Sequence, residues 1–66
     1  MKIKQLITEN FTLTHIGTDQ SNEVYELKFG DVTILIRVTK YNSIFNIASD
    51  DIIPPKILKV LLHVFR

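Results

Sequence analysis

Glu23-Val-Tyr-Glu-Leu-Lys-Phe-Gly-Asp-Val-Thr-Ile-Leu-Ile-Arg-Val-Thr39 decides the fold. Two alternating runs flank Gly30-Asp31, and a glycine followed by a turn-former between such runs reads as a two-residue hairpin loop of type II′. That loop sets Phe29 opposite Val32, Leu27 opposite Ile34, Tyr25 opposite Ile36 and Glu23 opposite Val38. One sheet face is then apolar, with Tyr25, Leu27, Phe29, Val32, Ile34, Ile36 and Val38. The other carries Glu26, Lys28, Thr33, Arg37 and Thr39, with Val24 and Leu35 as apolar exceptions. A slip of one residue would exchange the two faces, so the segregation itself specifies the register. The hairpin demands a cover for its apolar side and says nothing of chemistry.

Outward from the hairpin, Phe11, Leu13 and His15 alternate with Thr12, Thr14 and Ile16, which predicts a first strand over about 10–17. Gly17-Thr-Asp-Gln-Ser-Asn22 reads as a turn cluster. Beyond the hairpin, Tyr41-Asn42-Ser43 marks a bend. Ile44–Ala48 reads as a further strand pairing back on the previous one, the alternative being one long bent strand from Val32 to Ala48. At the N-terminus Ile3, Leu6 and Ile7 have helical spacing, so one or two turns of amphipathic helix are expected there, with Ile3 in a frayed strand as the alternative.

Ser49-Asp-Asp-Ile-Ile-Pro-Pro55 is a helix entrance, because proline is tolerated in the first turn and disfavoured later. The helix is expected from about Pro55. Lys56, Lys59, His63 and Arg66 recur on one narrow stripe of it, and Ile57, Leu58, Val60, Leu61, Leu62, Val64 and Phe65 fill the rest. A surface helix normally has an apolar face somewhat over 100° wide; this one is apolar over most of its circumference. The sheet can cover only one side. The surplus implies that Ile3, Leu6 and Ile7 flank the helix or that a second molecule does, with Leu58, Leu62 and Phe65 as the residues expected to meet a partner.

The fold expected is therefore α+β, a single domain over residues 1–66. It has a three- to four-stranded antiparallel sheet, a C-terminal helix packed on its apolar face, and a possible short N-terminal helix. A chain of 66 residues buries a modest fraction of its surface, and with no cysteine it has neither disulfide nor thiolate zinc site to assist it. Its stability must come from a well-packed core or from association.

Composition weighs against several functions. A net charge of +1 is low for a protein that binds nucleic acid by neutralising phosphates. The imidazoles, His15 and His63, lie far apart, and Ser21, Ser43 and Ser49 sit in turn-like sequence where serine serves the backbone. No nucleophile–base–orienter pattern surrounds them, so no enzyme, no catalytic residue and no cofactor are expected. Asp50-Asp51 with the two histidines has no recognised metal-ligand spacing, and neither Gly17 nor Gly30 belongs to a phosphate-binding loop. Met1–Asn10 lacks the continuous apolar core of a secretory signal and no run reaches transmembrane length, so a cytoplasmic protein without membrane partners is expected.

The expected function is that of a small non-enzymatic protein-interaction module, acting on a protein partner or on itself. The alternative is a small nucleic-acid-binding protein that uses the stripe Lys56, Lys59, His63 and Arg66, with Arg37 and Lys28 extending it.

The opening Met1-Lys-Ile-Lys-Gln-Leu-Ile7, the later Gly17-Thr-Asp19, the Ile- and Lys-heavy composition and the tiny β-rich body resemble small phage or prophage accessory proteins of AT-rich Gram-positive hosts, some anti-CRISPR proteins among them. The acidic, DNA-mimicking surface of some such inhibitors is absent. The resemblance implies an inhibitor or modulator that binds a host or phage protein in the host cytoplasm; it assigns no residue a role.

Overall fold

A computed structural model describes residues 3–42 and 44–66. The chain forms strands β1 (Gln5–Ile7), β2 (Thr12–Asp19), β3 (Asn22–Phe29), β4 (Val32–Tyr41) and β5 (Ile44–Ala48), then helix α1 (Pro55–Val64). The five strands make one antiparallel sheet in chain order, and α1 seals one face of it. The fold is α+β, as expected, with two corrections. Among the described residues the sheet has five strands, and the N-terminal segment forms a strand at Gln5–Ile7.

The β3–β4 hairpin has the register read from the sequence, from Phe29 opposite Val32 to Glu23 opposite Val38. Gly30 has φ 57°, whereas Asp31 is not among the residues with positive φ. Positive φ at the first loop position alone is what a type II′ turn requires. The β2–β3 connection is equally tight. Asp19 pairs with Asn22, so Gln20 and Ser21 alone make the turn, with Gln20 at φ 58°. The six-residue turn cluster expected over 17–22 is therefore mostly strand. Asn42, at φ 49°, leads the turn into β5, which pairs back on β4 as a separate strand.

At the N-terminus the expected helix gives way to β1, which adds to the free edge of β2 with Leu6 opposite Leu13. A segment of this length cannot offset the cost of helix nucleation. The edge of β2 supplies backbone partners at once, and His15 N–H continues the ladder to the Lys4 carbonyl at 2.8 Å. Leu6 packs against the core and Ile7 points to solvent, so the pair does not flank α1 together. Thr8 closes the β1–β2 loop, its hydroxyl donating to the Phe11 carbonyl and accepting from Phe11 N–H, both at 3.0 Å.

The core lies between sheet and helix. Phe11, Leu13, Tyr25, Leu27, Ile34, Ile36 and Val38 come from the sheet, and Ile57 and Leu61 from α1. Phe29 is half-buried beside them, and Leu6, Ile47, Ile53 and Phe65 fill the margins. Ile57 and Leu61 are one turn apart on one helix face, so a single stripe of α1 enters the core. The helix starts after Pro54, which offers no side-chain cap, and Pro55 at the first helical position needs no N–H partner. Asp50 takes no part in capping. It faces Arg37 at 3.3 Å, and Ser49 Oγ accepts from Asp51 N–H at 3.1 Å while donating to the Leu35 carbonyl at 2.9 Å. These contacts fasten the loop back onto β4.

Candidate functional site

Two features of the molecule are candidates for function: a polar cluster at one end of the covered face, and apolar surface on the open face and along β5.

The polar cluster arises from a bulge. Pairing between β2 and β3 shifts between His15 and Gly17, so Ile16 and Gly17 together oppose Val24. The extra residue restores side-chain alternation beyond it, and Thr18 comes to lie opposite Glu23 on the side that already holds His15. Glu23 Oε2 accepts from His15 Nε2 at 2.5 Å and from the Thr18 hydroxyl at 2.9 Å. Tyr25 is the buried neighbour. Its ring meets His15 edge-on at 5.1 Å on one side and Phe65 at 5.2 Å on the other. Burial raises the Tyr25 phenol above its ordinary value, the Glu23 carboxylate raises it further, and a backbone hydrogen bond from Ile3 opposes them. An open cleft of about 340 Å³ lies here, lined by Ser21, Glu23, Tyr25, Lys40, Phe45 and Phe65 among others. The Glu23 oxygen that His15 and Thr18 reach is already engaged, and the cluster locks the end of the β2–β3 hairpin under the end of α1. The place of His15 in line with Phe11 and Leu13 was legible in the sequence; its partners were not, because a bulge leaves no periodic signal.

The open face is less polar than alternation alone suggests. Leu35 is half exposed, and Ile7 and Ile16 project to solvent. Tyr41 and Ile44 pair across β4 and β5, 75% and 73% exposed. Charged groups on this face pair with groups of opposite sign. Lys28 lies 3.5 Å from Glu26, and Arg37 faces Asp50. The Thr39 hydroxyl donates to the Asn22 side-chain oxygen across β3 and β4.

The helix residues expected to meet a partner separate into two environments. Leu62 is 45% exposed, whereas Leu58 is half-buried and Phe65 is drawn into the ring contact with Tyr25. Val60 adds to the exposed apolar surface of α1. Lys56, Lys59, His63 and Arg66 are all exposed. Lys59, His63 and Arg66 share a shallow cleft with Leu62 and Phe45, while Lys56 lies at the other end of α1, in a groove with Asn10, Phe29 and Gly30. Among the described residues no group of three or more metal-ligating side chains converges, and no helix is long and apolar enough to cross a membrane.

No family model, curated protein or solved structure matches the chain.

Proposed function

We propose that this protein is a small non-enzymatic interaction module that contacts another protein through the β4–β5 end of its sheet. The observation that carries this reading is the cross-strand pair Tyr41–Ile44, two large apolar side chains, both mostly exposed, on a face that α1 does not cover. Large exposed apolar side chains that adjoin one another are what partner surfaces offer, and tyrosine is enriched in interfaces because it combines a broad apolar ring with a polar tip. The balanced charges of the open face support a protein partner over a polyanion. In the setting implied by the resemblance to phage accessory proteins, the module acts as an inhibitor or modulator of a host protein in the host cytoplasm.

Affinity capture with the full chain beside its Tyr41→Asp and Ile44→Asp variants tests this. Partners held by the parent chain and lost by both variants, at unchanged melting temperature, support the reading. Equal capture by all three contradicts it.

The basic stripe supports a second reading, because each of its four members is exposed and three of them, Lys59, His63 and Arg66, share one cleft. Binding of labelled DNA or RNA at near-physiological salt, lost in Lys56→Glu/Lys59→Glu, would replace the protein partner with nucleic acid. Such binding would fall steeply with added salt, whereas apolar association would not.

A further inference from the structure

The two edges of the sheet are unequally protected. Natural sheets guard their edges with short strands, charged side chains, proline or bulges, since an unguarded edge pairs with any extended chain. β1 is guarded by its length of three residues and by the exposed Lys4 before it. β5 runs Ile44-Phe-Asn-Ile-Ala48, without charge, proline or glycine, and its pairing with β4 is free of register shifts. Among the described residues it has a strand neighbour on one side only.

We infer that the β5 edge pairs antiparallel with β5 of a second copy about a two-fold axis at Asn46, joining two sheets into one. This rests on the interaction-module reading and names the partner at that same end of the sheet. Two observations favour a second copy over an unrelated strand, and a third closes the assembly as a pair.

The side chains are self-complementary. Pairing about Asn46 places Ile44 opposite Ala48 of the other copy on the open face, a large side chain over a small one. It places Phe45 opposite Ile47 on the covered face, where both are half-buried in the single chain. The apolar layer under one helix would thus run on into the layer under the other.

The charges are also self-complementary. Lys40 and Arg66 line a cleft with Ile44 and Phe45 at the start of β5, and the exposed Asp51 follows its end, while Asp50 is held by Arg37 of its own chain. An antiparallel two-fold arrangement brings the basic end of each copy to the acidic end of the other. A parallel arrangement would set like charges side by side. The guarded β1 edge, finally, disfavours head-to-tail β5–β1 stacking, so the assembly closes as a dimer.

The chain has no cysteine, so Asn46→Cys in the full chain introduces a single thiol. Opposite residues of an antiparallel pair have Cα atoms about 4.5–5.5 Å apart, within disulfide range. Mild oxidation should therefore link Asn46→Cys chains into covalent dimers while leaving Leu35→Cys, on the open face of β4, unlinked. If Asn46→Cys links no faster than Leu35→Cys, the pairing is wrong. Preferential linkage of Leu35→Cys would likewise overturn it in favour of face-to-face contact, which leaves the broader interaction reading standing.

A charge exchange provides an independent test by sedimentation equilibrium. Asp51→Lys alone and Lys40→Glu/Arg66→Glu alone should each weaken self-association by about two- to tenfold at low salt, since each change enters the interface twice. An equimolar mixture of the two variants should restore the dimer as a heterodimer. A mixture no tighter than either variant alone, or a parent chain that stays monomeric throughout, contradicts the inference; capture of other proteins by that monomer would still uphold the module reading.

Discussion

The two faces of this sheet are built from the same strands and differ in what they do. On the face under α1, Leu13, Leu27 and Ile36 are completely buried and the apolar set is continuous from β1 to β5. On the open face, apolar side chains stand among paired charges until Tyr41 and Ile44, where two large side chains, both about three-quarters exposed, adjoin. The contrast teaches that one face specifies the fold and the other is free to be shaped by contacts. Alternation along a strand separates the two requirements residue by residue, so Ile36 and Leu35 are chain neighbours with unrelated roles.

Substitutions at those neighbours give the sharpest contrast. Ile36→Ala removes a fully buried side chain from between sheet and helix and should cost about 2–5 kcal/mol, comparable with the whole stability of a domain this small. Chemical denaturation should find most of the Ile36→Ala chains unfolded or near their midpoint in water. Leu35→Thr, one residue along, should change stability by about 0.5 kcal/mol or less. Similar losses at both positions would dissolve the distinction between the faces.

A smaller effect should appear in the alkaline limb of stability at the polar end of the covered face. The Tyr25 phenol is raised by burial and by Glu23, so the folded state holds its proton more tightly than the unfolded chain. Its contribution is fully present below the ordinary phenol value of 10.0 and is lost as pH rises from there through the folded value. Melting temperature should therefore decline above about pH 10 more steeply in the parent than in Tyr25→Phe, whose ring contacts with His15 and Phe65 persist. Parallel declines would show that the phenol is solvated as in the unfolded chain.

How much of this was legible in the sequence follows the same division. The β3–β4 register could be read because a two-residue loop leaves no freedom and because a slip would expose Leu27, Ile34 and Ile36 together. The start of α1 could be read because two prolines permit few alternatives. The N-terminal strand could not. Ile3, Leu6 and Ile7 fit a helical stripe as well as a strand, and only the edge of β2, distant information for a local pattern, decides between them. Thr18 and Asp19 looked like turn residues and became strand because ladder pairing with Glu23 and Asn22 outweighs weak propensities. The His15–Glu23–Thr18 cluster was hidden for a related reason. Without the bulge at Ile16, Thr18 falls on the wrong side, and only the appearance of Glu23 and His15 in line with apolar residues hinted that they share a site. The unguarded edge was readable as a composition, Ile44–Ala48 without charge, but not as an edge until the strand order was known.

Backbone hydrogen exchange across β1–β5 at a series of protein concentrations locates the edge at which two copies meet. If β5 is where the molecule meets its second copy, protection at Ile44–Ala48 rises with concentration by more than protection at Tyr25–Phe29 and Ile34–Val38, which rises only as far as association stabilises the whole fold. Protection of β5 that is independent of concentration, or that changes at β1 in its place, would contradict the assignment of β5 as the contact edge.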